Sequence, residues 1–581
     1  MGGRKQKLTE TARRNRVELV EAGFTRRDLI RMGLLSASGY LVAKLGLSSR
    51  ALGAGVPESP STTPWIEELP IPKVASPVDV SALGSAPTRE PNLAGGESGR
   101  SGPHQHWSLY TPATSDHYLV ESRVTRWSWH RELPMDECWC YDGVFPGTRI
   151  HARRGRAVLV RFRNALPNLG EHAGYGRPTT STHLHSGHTA AESDGNPLDA
   201  TASGAWRDHL YMNRPAGFTD PRFGPMGDPR ELPSTLCYHD HSLGFTAQNI
   251  YRGQLGLYLQ FNEFDSGDEN DMSPTAWRLP SGEFDIPLVF HDRSFDPQGR
   301  GYFDLFQLDG ILGDTFTVNG RIRPFLRVAR RKYRFRALNV GGSRAYEFLL
   351  TSGGSFTQIA RDGGLLTKPV ATPSVRLPVG GRAEFVLDFS RWPSGTELYL
   401  VNALAQRDGR GPAGTLLPVE RGMRVLKLIV DGTRPTHGDP SRVPERFFDL
   451  PAVDRAEVVT ERTFVLGRAS GGWSVNGKPL DPGDTAASPR LGSAEIWNFV
   501  NDSGSWRHDV HVPLETHQVL ARNGVVPAAS DLAREDLVGL GPGESVKTFR
   551  RFRDFVGRYP TRCADPVHED HAMMFMWKVT A

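Results

Sequence analysis

Val318-Asn319-Gly320 is followed, 19 residues after its glycine, by the asparagine that closes Arg334-Phe335-Arg336-Ala337-Leu338-Asn339. The pattern occurs twice more. Tyr141-Asp142-Gly143 precedes Arg161-Phe162-Arg163-Asn164, and Val475-Asn476-Gly477 precedes Ile496-Trp497-Asn498, both with a Gly-to-Asn spacing of 21. An Asn-Gly or Asp-Gly pair suits a hairpin turn that needs positive φ at two successive residues. Around it, stretches such as Ala157-Val158-Leu159-Val160-Arg161-Phe162 carry the apolar pattern of strands. The repeats start 177 and 157 residues apart, so the economical reading is three β domains of similar build. We place them near 95–265, 266–433 and 445–581.

The composition agrees. A chain of 581 residues has room for several domains, and its 62 Gly and 43 Pro favour short strands and many turns over long helices. Residues 54–94 form a linker or arm, and the run with Pro435, Pro440 and Pro444 joins the last two domains. The formal charge of +4 comes from the N-terminus: residues 1–50 hold 11 Lys or Arg against 4 Asp or Glu, leaving 58 basic and 61 acidic residues beyond. Such a body lacks the dense basic face that phosphate backbones require, which excludes nucleic acid as a partner.

Within residues 1–53, Thr25-Arg26-Arg27-Asp28-Leu29-Ile30 leads into an apolar run broken by Lys44 and then into small residues near Ala51-Leu52-Gly53. This resembles a twin-arginine export signal. It implies a partner in the twin-arginine (Tat) machinery and a soluble mature protein in the periplasm or outside the cell. About 14 apolar-biased residues are too few to span a bilayer, so no stable membrane span is expected. Four cysteines, Cys138, Cys140, Cys237 and Cys563, are too few for a disulfide scaffold. We expect that Cys237 could pair with Cys138 or Cys140, these two facing opposite sides of their strand, and that Cys563 stands alone.

Ten of the 19 histidines fall into four clusters: His183, His185 and His188; His239 and His241; His508, His511 and His517; and His568 with His571 beside Cys563. On a strand, His-x-His places two imidazoles on one face about 7 Å apart at Cα, which suits ligands to one metal or to two adjacent metals. Blue copper needs two imidazoles and a thiolate in a trigonal plane with a weak axial Met. Cys563-x4-His568-x4-Met573 supplies three of those groups from one loop, and His508 supplies the fourth. The bland reading makes Cys563 a small buried hydrophobe and Met573 a core filler. His209 and His517 read as ordinary hydrogen-bonded histidines.

With these clusters, and with Tyr141-Asp142-Gly143-Val144-Phe145-Pro146-Gly147, Ser193-Asp194-Gly195, Lys332-Tyr333-Arg334-Phe335-Arg336 and Asp362-Gly363-Gly364-Leu365-Leu366, the chain resembles the multicopper oxidases. The likeness is to their three-domain bacterial branch of spore-coat laccase and bilirubin oxidase, from about residue 107 to the C-terminus. It implies an all-β fold of three cupredoxin-like Greek-key β-sandwich domains, with a type 1 copper in the last and a trinuclear cluster between the first and last. It also implies copper as cofactor, a small-molecule or metal-ion electron donor, and dioxygen as acceptor. Carried over by position, type 1 copper takes His508, Cys563, His568 and Met573, with Cys563 and His568 in the electron path, and type 2 copper takes His183 and His511. For the type 3 pair only His185, His239 and His241 are present, because Pro513, Arg562 and Ala564 stand where the family has histidines.

Those departures separate three readings. The first is a copper oxidoreductase that oxidises phenols, tetrapyrroles or metal ions, with oxygen reduction altered at a reduced cluster. The others are a non-catalytic exported scaffold related to cell-division proteins, and a type 1 copper electron carrier. His188, Asp565, Glu569, Asp570 and His571 lie near enough in sequence to replace lost ligands, and Arg562 could instead fill the space of a missing copper with its own positive charge.

Overall fold

In the computed structural model all three Asx-Gly pairs turn with positive φ at both residues. The values are 55° and 71° at Asp142 and Gly143, 48° and 77° at Asn319 and Gly320, and 52° and 71° at Asn476 and Gly477. Glycine has no Cβ to clash in that region, and Asn and Asp tolerate it. Across the second turn, Val318 pairs with Arg321 and Thr317 with Ile322. The structure describes residues 57–581 apart from 173, 305, 306, 308, 363, 413, 470, 471 and 528–532; the expected export signal lies outside the described residues.

The strands form three two-sheet sandwiches. The first combines two four-stranded sheets, the second an eight-stranded with a five-stranded sheet, and the third a six-stranded with a four-stranded sheet. In each sandwich the strand that carries the repeat lies parallel to an earlier one. Val158–Ala165 runs beside Asp116–Trp127, Lys332–Asn339 beside Asp285–Phe295, and Ala494–Asn501 beside Val458–Ala469. Parallel neighbours among largely antiparallel strands require long crossovers between sheets, as in a Greek key. The fold is all-β, three cupredoxin-like Greek-key sandwiches.

Asparagines close these strands, and here one sequence expectation needs correction. The Asn164 side chain donates to the carbonyls of Pro178 and Thr201 and accepts from the Leu166 N–H. Asn339 donates to Arg344 and Pro378 and accepts from Gly341. The third member is Asn501, which donates to Trp506 and Gly541 and accepts from Ser503. Asn498, picked from spacing, is a half-buried mid-strand residue.

Val158 through Phe162 are all buried, because both faces of this strand are covered. Val158, Val160 and Phe162 pack in their own sandwich with Tyr118, Leu236 and Tyr238. Leu159 points the other way, into one cluster with Trp473, Val510, Val512, Cys563 and Met573 of the third sandwich. Burying such side chains contributes about 1.5–3 kcal/mol each, and this seam brings the first and third sandwiches face to face. The arm pairs with the first two sandwiches: Val74 bridges Arg149 and Glu68 bridges Phe325.

The expected pairing of Cys237 fails, while Cys563 stands alone as expected. All four are free and buried. Cys138 and Cys140 share a face, as residues two apart on a strand must, and they pack with Cys237 in one apolar cluster without bonding to it. Among the described residues no helix is long and apolar enough to cross a membrane.

Candidate metal centres

One strand, His508–His511, serves two sites because alternate residues face opposite ways. It pairs with Gly557–Cys563 so that Val510 opposes Cys563 and His511 opposes Arg562. Cys563 and Val510 therefore turn into the third sandwich, while Arg562 and His511 turn toward the first.

On the inner face, Cys563 Sγ lies 3.6 Å from His508 Nδ1 and 3.7 Å from His568 Nδ1. A trigonal centre with metal–nitrogen bonds near ~2.0 Å and metal–sulfur bonds near ~2.3 Å sets such ligand atoms roughly 3.7 Å apart. The second nitrogens are committed elsewhere, His508 Nε2 to Ser503 Oγ at 2.8 Å and His568 Nε2 to the Asp309 carbonyl at 3.4 Å. Both Nδ1 atoms are thus free to face the sulfur. His568 sits on the short helix Pro566–Asp570, whose first turn is capped by the Asp565 carboxylate. Met573 is buried beside the site, its N–H bonded to the His568 carbonyl and its carbonyl accepting from Cys563. Trp473 packs on both imidazoles, with ring centroids 5.1 Å from His508 and 4.5 Å from His568. Burial pushes the Cys563 thiol well above its usual range and the His508 imidazole well below. A soft cation that replaces the thiol proton relieves that penalty. His508, Cys563 and His568 fit the trigonal ligands of a type 1 copper, and Met573 packs in the same cluster as Cys563.

Between the sandwiches, His183 Nε2 and His511 Nε2 face each other at 3.3 Å. His183 Nδ1 meets the Asp194 carbonyl at 2.6 Å and His511 Nδ1 lies 3.0 Å from Asp536 Oδ2. With the hydrogens on both Nδ1 atoms, two lone pairs would converge, a donor set suited to one cation. Burial lowers His511 to about 4 against the opposing pull of Asp536.

His183, His185 and His239 also gather closely enough to hold a metal ion, but an arginine stands against two of them. Arg562 reaches into their space, its Nη2 2.9 Å from His239 Nε2 and 3.4 Å from His185 Nδ1. A guanidinium only donates, so those lone pairs are taken. Its Nη1 lies 2.5 Å from Glu569 Oε2, and Glu569 Oε1 is 3.1 Å from His241 Nε2. Burial alone would raise Glu569, but Arg562 and His241 outweigh it and hold the carboxyl at about 2. Beside Ala564 and His185 is a cavity of about 30 Å³, too small for an imidazole.

Of the other residues singled out, His188 bonds Asp554 and the Leu514 carbonyl, His209 bonds Ser193 and Arg207, and His517 bonds Arg550. His571 Nδ1 bonds the Val567 carbonyl, and Asp570 accepts from the N–H groups of Thr246 and Ala247. Pro513 meets Arg550 through its carbonyl. Sequence reasoning missed Asp536, which with His185 and His511 forms a tight buried group; a single aspartate 19 residues beyond His517 carries no motif.

Three cupredoxin-like sandwiches with a His-Cys-His-Met set in the last and facing histidines at the seam define a copper redox protein. The chain is 31% identical to a bilirubin oxidase of Albifimbria verrucaria over 484 residues, covering 80% of this chain and 76% of that one. It is 29% identical to a laccase of Bacillus stratosphericus over 567 residues, with 88% and 98% covered. A crystal structure of a laccase from Pediococcus acidilactici shares the fold, with TM-score 0.69, 19% identity and 90% and 95% coverage. No family model matches the chain. The protein belongs to the multicopper oxidase family, and it is a copper oxidoreductase.

Proposed function

We propose that the protein takes electrons from a small phenolic, tetrapyrrole or metal-ion donor at a type 1 copper held by His508, Cys563, His568 and Met573. The seam, on this reading, holds one copper at His183 and His511 rather than three. Copper held by these residues would supply one-electron redox chemistry. The range of donors is supported by relatives named laccase and bilirubin oxidase and by a related structure described as a metallo-oxidase. A cavity of about 220 Å³, lined by Tyr251, Tyr302, Gly310, Arg407 and Asp408 among others, offers a donor site next to Asp309, whose carbonyl meets His568. Export by the twin-arginine route, from the motif at Arg26-Arg27, would place this chemistry outside the cytoplasm.

The observation that carries the reduced copper count is the Arg562 contact with His239. It also supports a second reading, an electron carrier with little oxygen turnover. Stopped-flow absorption separates them. A donor should bleach the blue band quickly, and air should restore it slowly compared with relatives that hold a full cluster. Rapid, repeated oxygen consumption would show that three coppers are bound after all.

A further inference from the structure

A neutral imidazole carries one N–H, and where His511 puts it decides what the seam can bind. With the hydrogen on Nε2, His511 would donate to His183 Nε2 at 3.3 Å and the pair would close as an ordinary hydrogen bond. With the hydrogen on Nδ1, two lone pairs meet and only a cation satisfies both. The Nδ1 neighbour is Asp536 Oδ2 at 3.0 Å. An ionised carboxylate only accepts. Asp536 is kept ionised by Arg382 of the second sandwich, whose Nη2 lies 2.6 Å from Oδ1.

The same Oδ2 lies 3.0 Å from His185 Nε2. On that side the tautomer follows independently. Arg562 donates toward His185 Nδ1 at 3.4 Å, which favours the His185 hydrogen on Nε2, facing Asp536, while Nδ1 also lies 3.4 Å from His239 Nε2. One carboxylate oxygen thus stands between two imidazoles on different sandwiches, at angles too oblique for strong hydrogen bonds. Ser186 Oγ donates to it as well.

We propose that Asp536 is a positioning residue: it holds the His511 hydrogen on Nδ1 and so keeps the His183–His511 pair open to a cation. This rests on the reading that copper binds that pair. Partners of this kind around metal ligands typically affect affinity 10–100-fold. In Asp536→Asn the amide N–H groups can donate to His511 Nδ1, which moves its hydrogen to Nε2 and closes the pair.

Two measurements test it. In the copper-free wild-type protein, long-range 1H–15N spectra, with His511 identified by loss in His511→Gln, should place its hydrogen on Nδ1. In Cu(II) titrations followed by electron paramagnetic resonance, Asp536→Asn should bind the second copper about 10–100-fold more weakly, with the type 1 signal unchanged. A His511 hydrogen on Nε2 in the wild type, or unchanged second-copper affinity in Asp536→Asn, would overturn the proposal. Should the variant not fold, the wild-type spectrum decides alone. A wild type that takes only the type 1 copper would defeat the copper reading, while the tautomer would still test Asp536.

Discussion

Arg562 donates to His239 Nε2 across 2.9 Å. The residue stands directly before Cys563, so the segment that supplies the type 1 thiolate also delivers a fixed positive charge to the seam. His239 has spent its other nitrogen on the Asp240 carbonyl at 2.8 Å and has no lone pair left for a metal. Glu569, beside His568, completes the arrangement by pairing with Arg562. The two sites are thus coupled through residues adjacent in sequence to type 1 ligands.

Removing the guanidinium should be costly. Arg562→Met leaves the buried Glu569 without its main counterion, a change of about 3–5 kcal/mol, and thermal denaturation should register it. The double variant Arg562→Met with Glu569→Gln should recover most of the loss. Equal instability of single and double variants would show that the pair is not coupled.

Restoring the three imidazoles should restore metal. Pro513→His, Arg562→His and Ala564→His together are expected to raise the copper content above that of the wild type, measured by elemental analysis. An unchanged count would mean that other residues limit the seam.

The strand-closing role assigned to Asn501 separates it from Asn498. Asn501→Ala strands two carbonyls and one N–H, which costs about 1–3 kcal/mol for each buried group left unpaired. Asn498→Ala, in a half-buried position, should cost well under 1 kcal/mol. Comparable losses in denaturant midpoint would return the role to Asn498.

Acid should weaken the sandwich junctions in a defined window. Burial alone would raise Glu384, but Arg334 and Arg336 bring it to about 2, and Arg553 and Arg534 do the same for Glu231. Their folded values lie below the ordinary 4.5, so their stabilisation is complete above about 4.5 and is lost as pH falls toward about 2. The melting temperature should drop across that window, and Glu231→Gln should flatten the drop. An unaltered pH slope in that variant would remove Glu231 from the account.

Much of this was readable in the chain. The Asx-Gly turns announce the three sandwiches because few residues tolerate paired positive φ, and the type 1 loop is legible because Cys563, His568 and Met573 sit within one short stretch. Asn501 was misplaced because its distance from the turn, 24 residues after Gly477, exceeds that of the other two repeats. Asp536 was invisible, since it meets His185 across 351 positions of sequence. Arg562 and Glu569 were visible as residues, but their pairing with each other and with His239 and His241 depends on how two sandwiches meet.

Cys563→Ser tests the first site. The variant should fold with unchanged circular dichroism yet lack the band near ~600 nm that a copper thiolate gives. Persistence of that band would assign the colour to another ligand set.

The number of coppers bound distinguishes a seam with one metal from a full cluster. Elemental analysis and an absorption spectrum on one copper-loaded sample should give two coppers per chain together with the intense band near ~600 nm. Four coppers per chain would contradict the account, since Arg562 would then have yielded its place to metal.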